Sequence, residues 1–367
     1  MIRLAIDAAN LAHDHRGMGR VVRPVVRAAL ADPRFAVTLL AQRKHHAALR
    51  ADFGRDIRLR TASTARRRGR YDVVWLPFNG MRFACAAPVL VSIYDVFAFT
   101  EPARGIVARW REQAPIRRAA RRAERVLTIS HWSAEQIVSV LHVDPQRIVV
   151  VPPTPDPFFF PGSGDTLAPN LQGRRFVLFV GGPERRKNAE MLIEACAKAL
   201  RAPDELLTVV GNLSIADEQR FGAYGVPFVR LRADDVLLRA LYRNAALVAV
   251  PSRAEGFGLV AAEAMACGAP VIAADAAALP EATGDAALLV DPENVDAWAI
   301  AIRRLLDDPD ERAAWSSRAK ARYAASDLEQ PIQATLSELF ALGDSFAQRK
   351  LCTQKDELGC SDDGETA

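Results

Sequence analysis

The sequence predicts an α/β protein built from two doubly wound domains. Short apolar runs recur at regular intervals in both halves of the chain, and segments with helical periodicity separate most of them. Continuous apolar strands that alternate with helices are typical of parallel sheets covered on both faces. The chain has 367 residues, half of them hydrophobic, which is enough for two buried cores. A stretch rich in proline and glycine, residues 152–173, separates the halves.

Six strands are predicted in each half. Those of the first half are RLAID, AVTLLA, DVVWLPF, PVLVSIYD, RVLTIS and RIVVVP, and those of the second are FVLFVGG, LLTVVGN, PFVRL, ALVAVPS, PVIAAD and AALLVD. We therefore place one domain at residues 1–165 and the other at 166–330. Because such sheets bind ligands at the carboxyl ends of their strands, we expect two Rossmann-like domains that face a central cleft.

The end of the chain is predicted to fold separately from the second domain. The segment LEQPIQATLSELFAL is typical of a helix, which we place at residues 331–347 and expect to return to the first domain. Residues 348–367 lose this apolar periodicity, and we predict a disordered tail there.

Charge is distributed unevenly between the halves. The net charge is +4, but residues 1–160 carry 13 more Lys and Arg than Asp and Glu, and the remaining residues carry nine fewer. A basic half suits an anionic partner such as a phosphate-bearing substrate or an acidic membrane surface.

The compartment is predicted from the cysteines and the apolar runs. The five cysteines show no CxxC and no Cys–His spacing of a metal site, which indicates neither a disulfide framework nor zinc. No apolar run reaches the roughly 18 residues of a membrane span, and Asp7 interrupts the first one. We expect a cytoplasmic protein without a metal or a cofactor.

The stretch SRAEGFGLVAAEAMACGAPV, residues 252–271, places two glutamates around a glycine-rich helix start. Unpaired backbone N–H groups and a positive dipole end suit a phosphate there, and Gly256 and Gly258 let an anion approach the main chain. Glu263, one turn into the helix, could accept hydrogen bonds from a ribose diol attached to that phosphate, and Glu255 from a second polyhydroxylated group. The alternative is a solvated helix whose carboxylates only compensate the dipole.

These residues resemble a known family. The pair Glu255 and Glu263 forms an E-x7-E pattern, and the segment from EGFGLVAAEAMACG to AALLVDP is similar to the donor half of retaining glycosyltransferases of family 4, some of them mannosyltransferases. VGGPERRKNAEMLIEA resembles the G-G-x-x-x-R-K-N segment of this family, and VLTISHWSAEQIVSVLHVDPQRIVVVPPTPDPFF resembles the end of its first domain. The resemblance covers most of residues 1–330 and implies the GT-B fold.

The resemblance also implies a role for each matching residue. Glu263 would hold the ribose of a nucleotide diphosphate sugar and Glu255 the transferred sugar, while Arg186 and Lys187 would neutralise the leaving diphosphate without a metal. Main-chain N–H groups would lie near the sugar and the phosphates. They belong to Gly256, Phe257, Gly258 and Leu259.

In the first half, the resemblance points to a glycine loop and to the acceptor side. HRGMGRVV contains Gly17 and Gly19, which the family would place beside the donor phosphates; an ordinary connection between strand and helix is the alternative. Tyr94 and Asp95 stand where many relatives have His-Asp, and a tyrosine cannot be cationic near neutral pH.

Arginine-rich stretches in the first half suggest a surface for an anionic partner. They are ARRRGR, residues 65–70, and residues 109–125, which lie close to Ile106, Val107 and Trp110. One interpretation is a peripheral enzyme at the inner face of an anionic membrane, acting on a glycan or a lipid-linked acceptor. The other is a solvated arginine-rich face. No motif that reads nucleic acid accompanies the charge.

The function predicted by the resemblance is transfer of a hexose from a nucleotide diphosphate sugar, with retention, in bacterial surface-glycan assembly such as O-antigen, lipopolysaccharide or exopolysaccharide synthesis. We expect mannose from GDP-mannose, with a UDP-hexose as the other donor. Two alternatives stay open: a sugar-nucleotide epimerase of the same fold, and a degenerate member that binds a nucleotide sugar or glycan without transfer. The oligomeric state is left open.

Overall fold

The computed structural model describes residues 1–14, 17–101, 105–163, 165–212, 215–324 and 326–359; of residues 217, 220 and 351–359 only the backbone is described. The chain divides into two compact units. Unit 1 comprises Met1–Pro153 together with the chain from Glu329 onward, and unit 2 comprises Thr154–Leu328. The first division therefore precedes the boundary predicted at residue 165, because the proline-rich segment after Pro153 packs with unit 2.

Unit 1 is built on a seven-stranded parallel sheet. Its strands are β1 (Ile2–Asp7), β2 (Phe35–Leu40), β3 (Leu59–Arg60), β4 (Val73–Leu76), β5 (Val89–Ser92), β6 (Arg125–Thr128) and β7 (Ile148–Val150), in the spatial order β3-β2-β1-β4-β5-β6-β7. The sequence predicts six of them. β3 escapes prediction because it has two residues and one of them is charged.

The helices of unit 1 cover both faces of this sheet. They are α1 (Met18–Ala31), α2 (His46–Phe53), α3 (Phe97–Thr100), α4 (Ile106–Arg122) and α5 (His131–Leu141). One apolar cluster joins α1 to one face, and a second joins Ile116 of α4 and Ile137 of α5 to the other. Burial on both faces explains why the strands read as continuous apolar runs.

Unit 2 repeats the scheme on a six-stranded parallel sheet. Its strands are β8 (Arg175–Val180), β9 (Glu205–Val210), β10 (Phe228–Leu231), β11 (Leu247–Val250), β12 (Val271–Ala274) and β13 (Leu288–Val290), in the order β10-β9-β8-β11-β12-β13. Its helices are α6 (Ala189–Ala199), α7 (Ile215–Ala223), α8 (Asp235–Asn244), α9 (Leu259–Ala266), α10 (Leu279–Thr283), α11 (Val295–Asp307) and α12 (Pro309–Ala324). All six predicted strands are present.

The last helix, α13 (Gln330–Gly359), belongs to unit 1 although it follows unit 2 in the chain. Leu336 and Leu339 are buried in the cluster formed with α1 and β1, and a Cβ atom on Gly343 would lie 2.4 Å from a methyl carbon of Ile2. The helix extends twelve residues beyond the predicted end at residue 347, and residues 360–367 of the predicted tail lie outside the described residues.

Within the part of the chain that the structure describes, no helix combines the length and the apolar character needed to cross a membrane.

Candidate functional site

The strand order of unit 2 brings two loops together. The order reverses between β8 and β11, which are hydrogen-bonded neighbours with Val177 opposite Leu247. Loops that leave the carboxyl ends of two such strands form the usual ligand crevice of a doubly wound sheet. Here they are residues 181–188 after β8 and residues 251–258 after β11, and both carry residues that the sequence analysis selects.

Backbone and side-chain hydrogen bonds fasten these loops to each other. The amide of Arg253 donates to the carbonyl oxygen of Arg186 at 2.7 Å. The side chain of Asn188 donates through Nδ2 to the carbonyl oxygens of Pro251 at 3.2 Å and Pro292 at 2.8 Å. The position of the cationic segment Arg186–Lys187 is therefore set by the loop that carries Glu255.

Asn188 is a site residue to which the sequence analysis gives no role. It is buried and has a left-handed backbone (φ 57°, ψ 34°) at the start of α6. Asparagine is one of the few residues that adopt this conformation at low cost. An asparagine directly before a helix-forming run is the signal in the sequence, but its partners, 63 and 104 residues away, are visible only in the fold.

Glu255 is the anionic centre of the site and contacts both predicted cations. Its Oε1 atom lies 2.6 Å from Lys187 Nζ, and its Oε2 atom lies 3.4 Å from an Arg186 guanidinium nitrogen. All three side chains are at most 20% exposed. A carboxylate in such surroundings depends on its partners for charge compensation. The fold thus groups three predicted residues within hydrogen-bond distance.

The N-terminus of α9 lies directly after Glu255. Gly258 precedes the helix with φ 109° and ψ 47°, and a Cβ atom there would come within 2.7 Å of Leu279 Cδ2. Both the backbone conformation and the packing require glycine. Gly256 and Phe257 are buried and Leu259 is half-buried, so these predicted donor residues form a compact turn into the helix.

Glu263 lies one turn into α9 and is 6% exposed. Its Oε2 atom accepts a hydrogen bond from the hydroxyl of Tyr242, at 3.2 Å. Tyr242 belongs to α8, is fully buried, and packs edge-on against Phe159 with ring centroids 5.7 Å apart. Tyr242 has no signal in the sequence, since it lies at an apolar position of a helix. The two glutamates thus have different described partners: two cationic side chains for Glu255 and a tyrosine hydroxyl for Glu263.

Gly17 and Gly19 lie at the start of α1 in unit 1. Gly17 precedes the helix with φ 52°, and a Cβ atom on Gly19 would lie 2.0 Å from the carbonyl oxygen of Asp14. The amide of Gly19 donates to the Asp14 carboxylate at 3.1 Å. Close packing of the preceding loop thus accounts for Gly19, while His15 and Arg16 of the same motif lie outside the described residues.

Tyr94 and Asp95 follow β5 in unit 1. Tyr94 is 6% exposed and lies in an apolar cluster, and this burial raises the pKa of its hydroxyl. Its amide donates to Asn79 Oδ1 at 2.7 Å, and Asn79 Nδ2 lies 3.4 Å from Asp95 Oδ2. Asn79, in the turn after β4 with φ 27°, therefore joins the loops that follow β4 and β5, and β4 borders the switch point between β1 and β4. The sequence signal for it is an Asn-Gly pair after a strand.

The longer arginine-rich segment of unit 1 lies mostly in one helix. Residues 106–122 form α4, which continues through Pro115 although the proline argues for an interruption. Ile106, Val107 and Trp110 at its start are 89%, 70% and 69% exposed. His131 is exposed at the first position of α5.

Among the described residues, no three or more side chains of His, Cys, Asp and Glu lie together so that they could hold a metal ion.

Comparison with known proteins agrees with this architecture. Residues 168–322 match the family model of glycosyl transferases group 1. The chain is 36% identical over 224 residues, 55% of its length, to D-inositol 3-phosphate glycosyltransferase of Mycolicibacterium smegmatis, of which it covers 49%. It thus spans about half the length of the curated relatives it matches.

Solved structures extend the comparison to both units. HepE of Anabaena, in complex with UDP and glucose, superposes with a TM-score of 0.70 at 19% identity over 93% of this chain and 100% of its own. WaaG, a glycosyltransferase involved in lipopolysaccharide biosynthesis, gives a TM-score of 0.64 at 17% identity over 91% and 98%. The predicted fold class is therefore confirmed: the chain has the GT-B fold, and most of unit 2 matches the group 1 glycosyl transferases.

Proposed function

We propose that the chain is a retaining glycosyltransferase that moves a hexose from a nucleotide diphosphate sugar to an acceptor hydroxyl. The observation that carries this proposal is the cluster of Glu255, Lys187 and Arg186 beside the glycine-capped start of α9, with Glu263 buried one turn further along. The match of residues 168–322 to group 1 glycosyl transferases supports it.

Lys187 and Arg186 act on the leaving group in this account. As the bond between the anomeric carbon and the diphosphate oxygen breaks, negative charge builds up on the nucleoside diphosphate. Cations and a helix N-terminus that are already in place stabilise that charge without reorganising. Lys187 is held 2.6 Å from Glu255, so its position is fixed before the donor binds.

The two glutamates divide the donor between them. We assign the ribose hydroxyls to Glu263, which accepts a hydrogen bond from the Tyr242 hydroxyl, and the hydroxyls of the transferred sugar to Glu255. A carboxylate accepts two hydrogen bonds from a diol with its two oxygens. The amides of Gly256, Phe257, Gly258 and Leu259 are the main-chain donors that we assign to sugar and phosphate.

The donor that we propose is a UDP-hexose or GDP-mannose. HepE, which has the same fold, is solved with UDP and glucose, which supports testing uridine nucleotides first. Transfer of mannose from GDP-mannose rests on the resemblance of the R-K-N segment alone, and it is kept as the second candidate.

The acceptor side of the proposal concerns unit 1. We assign a glycan or a lipid-linked molecule of bacterial surface-glycan synthesis as the acceptor, near Tyr94 and Asp95, and the glycine loop at Gly17 and Gly19 to the donor phosphates. The exposed apolar start of α4, with Ile106, Val107 and Trp110, is the segment that we propose for peripheral contact with an anionic membrane at its inner face.

Release of nucleoside diphosphate tests the proposal. The full chain is incubated with UDP- and GDP-hexoses, with and without a panel of glycan acceptors and without added metal. We expect release with one nucleotide series, a fall of about 10²- to 10³-fold for Lys187→Ala, and little change for Lys198→Ala, whose ammonium pairs with Asp296 on α11. The anomeric configuration of the product, read by NMR, decides between retention and inversion.

The same assay separates the alternatives. An epimerase would convert the sugar nucleotide without an acceptor and without net transfer. A degenerate member would bind the nucleotide sugar and release nothing, and a gain of transfer in Tyr94→His would then point to lost catalysis. Full activity of Lys187→Ala would refute the assigned site.

A further inference from the structure

A basic groove lies on one face of the outer strands of unit 1, and it belongs to none of the site residues described above. Its volume is about 510 Å³. Ala36 and Thr38 of β2 lie on its floor, and Arg60 of β3, opposite Leu40 of β2, shares their face because side chains alternate along a strand. Six arginines line this basic groove: Arg3, Arg58, Arg60, Arg67, Arg68 and Arg70.

The turn that supplies three of these arginines is held against the sheet. Gly69 has φ 70°, and its carbonyl oxygen accepts a hydrogen bond from Arg3 at 2.6 Å. Tyr71, which follows the turn, is buried, and its hydroxyl lies 3.0 Å from Thr64 Oγ1. The guanidinium groups are therefore presented by a constrained turn, which lowers the entropy lost when a ligand orders them.

The positive charge of one arginine of the basic groove is compensated by an ion pair within the protein. Arg3 makes a two-pronged contact with the Asp72 carboxylate, at 2.9 and 2.6 Å. Burial would raise the pKa of Asp72, but these hydrogen bonds outweigh it and hold that pKa below its usual range. Asp72 therefore stays anionic and forms ion pairs with Arg3 and with Lys350, whose Nζ atom lies 3.5 Å from Asp72 Oδ1.

No described carboxylate pairs with the other five arginines; one of these, Arg60, donates to the carbonyl oxygen of Leu59 at 2.9 Å. Arg58, Arg67, Arg68 and Arg70 are exposed, and none of them forms an ion pair with any residue that the structure describes. Among the residues that the structure describes, those that line the basic groove include no carboxylate. Several like charges around one concavity raise the local positive potential, which an anionic ligand relieves.

We propose that the basic groove is a binding site for a ligand that carries two or more phosphate groups, such as a diphosphate. The planar guanidinium fork contacts phosphate through two parallel hydrogen bonds, so four arginines match two phosphate groups. A volume of about 510 Å³ is large enough to hold a small molecule with two phosphate groups. The small side chains of Ala36 and Thr38 leave room for the ligand above the strands.

The site is separate from the loops at the switch point of unit 1. The basic groove lies over β3, the outermost strand, and over the first half of β2, whereas Gly17 and Asn79 lie in segments that follow β1 and β4 at the middle of the sheet. The diphosphate group could belong to a free molecule or to a lipid headgroup, and the experiment includes both.

Calorimetric titration with inorganic pyrophosphate at about 50 mM salt tests the proposal. The full chain carries Lys187→Ala, so that the cationic pair of unit 2 does not compete. The test variant adds Arg67→Ser and Arg70→Ser. The control instead adds Arg50→Ser and Arg55→Ser, two exposed arginines in and after α2 that do not line the basic groove and that change the net charge equally.

We expect saturable binding that weakens about tenfold or more in the test variant and less than about twofold in the control. Thermal melts verify that each variant is folded. In a second arm, phosphatidylcholine vesicles with a prenyl diphosphate are compared with vesicles containing phosphatidylglycerol. Loss of binding to the diphosphate vesicles in the test variant identifies a lipid source, and pyrophosphate binding alone a free one.

Three results would overturn the proposal. The first is absence of saturable binding at pyrophosphate concentrations up to about 10 mM, a range in which even weak binding would be detected. The second is equal weakening in both double variants, which would indicate diffuse attraction to a basic surface. The third is binding to phosphatidylglycerol vesicles without pyrophosphate binding, which would make the basic groove a membrane contact.

Discussion

At the scale of single residues, the site of unit 2 depends on which group compensates each buried carboxylate. Glu255 contacts two cations, Lys187 and Arg186, whereas Glu263 accepts a hydrogen bond from the neutral hydroxyl of Tyr242. A ligand that brings a diphosphate would interact with the cations at Glu255, and a ligand that brings hydroxyl groups suits Glu263. The two positions therefore predict different responses to substitution.

Tyr242→Phe should weaken nucleotide binding about tenfold, because the hydroxyl that orients the Glu263 carboxylate is removed while the ring that packs on Phe159 stays. The dissociation constant of the nucleotide is the measured quantity. Tyr224→Phe is the matched control, since the Tyr224 hydroxyl also donates to a glutamate, Glu190, at 3.3 Å. Equal weakening in both variants would show that Tyr242 has no special role.

Another buried carboxylate, Glu205 at the start of β9, should make the stability of unit 2 depend on pH. Burial alone would raise its pKa, but hydrogen bonds from Arg303 at 2.8 and 2.9 Å and from two backbone amides lower the pKa of Glu205 from 4.5 to about 2. Since the folded pKa is the lower one, this stabilisation is present above pH 4.5 and is lost as the pH falls toward 2.

Urea unfolding between pH 6 and pH 2 measures this effect. The free energy of unfolding should fall by about 3 kcal/mol through this group over the lower part of that range. Glu205→Gln should be less stable at pH 6 and should show a smaller fall on acidification. An unchanged pH dependence in that variant would assign the loss to other carboxylates.

At the scale of elements, the short helix α9 is the part of unit 2 that positions the site. Its eight residues begin at a glycine with a left-handed backbone, and α10 packs against that glycine through Leu279. The helix places Glu263 on its inner side and follows directly on Glu255. The geometry of its first turn therefore sets how closely a ligand can approach the main-chain amides.

Gly258→Ala should destabilise unit 2 by about 1 to 3 kcal/mol, because alanine is strained at φ 109° and its Cβ atom would meet Leu279 Cδ2 at 2.7 Å. Equilibrium denaturation provides the measurement, and nucleotide binding should weaken in parallel. Gly222→Ala in α7 is the control, as a Cβ atom there meets nothing within 4 Å. If both variants were equally stable, the left-handed cap would have no importance for the site.

At the scale of the whole molecule, the chain finishes unit 1 only after it has completed unit 2. Helix α13 supplies Leu336 and Leu339 to the core of unit 1, so this core is complete only when the helix packs on it. This connection makes the two units interdependent in sequence while each keeps its own parallel sheet.

Leu339→Ala should destabilise unit 1 by about 2 to 5 kcal/mol, since the side chain is fully buried. A fluorescence probe at Trp75, which lies in the same cluster, would report the unfolding of that unit. Ser337→Ala, on the exposed side of α13, should leave the transition unchanged. Loss of stability only in unit 2 would contradict the placement of this helix.

The parallel strands were predictable because burial on both faces makes each of them a continuous apolar run. The exception is β3, whose Leu59–Arg60 pair is too short for a pattern. Gly258, Glu255 and Lys187 could also be selected from the sequence, because a glycine at a helix start and charged residues in loops after strands form local patterns. Their roles stay predictions. Tyr242 could not be selected, because its partner lies 21 residues away and is brought near only by packing.

The most direct test of the central claim is a calorimetric titration of UDP and GDP, without metal, into the full chain and into Glu263→Gln. Both proteins carry Arg67→Ser and Arg70→Ser, so that the basic groove of unit 1 does not contribute diphosphate binding. We expect that one nucleotide binds at one site per chain with a dissociation constant of about 1 μM to 1 mM. Binding should weaken about tenfold or more in Glu263→Gln but persist in Glu311→Gln, whose glutamate pairs with Arg304 on the surface of the same unit. Absence of binding by both nucleotides, or equal binding by both variants, would contradict a donor site at α9.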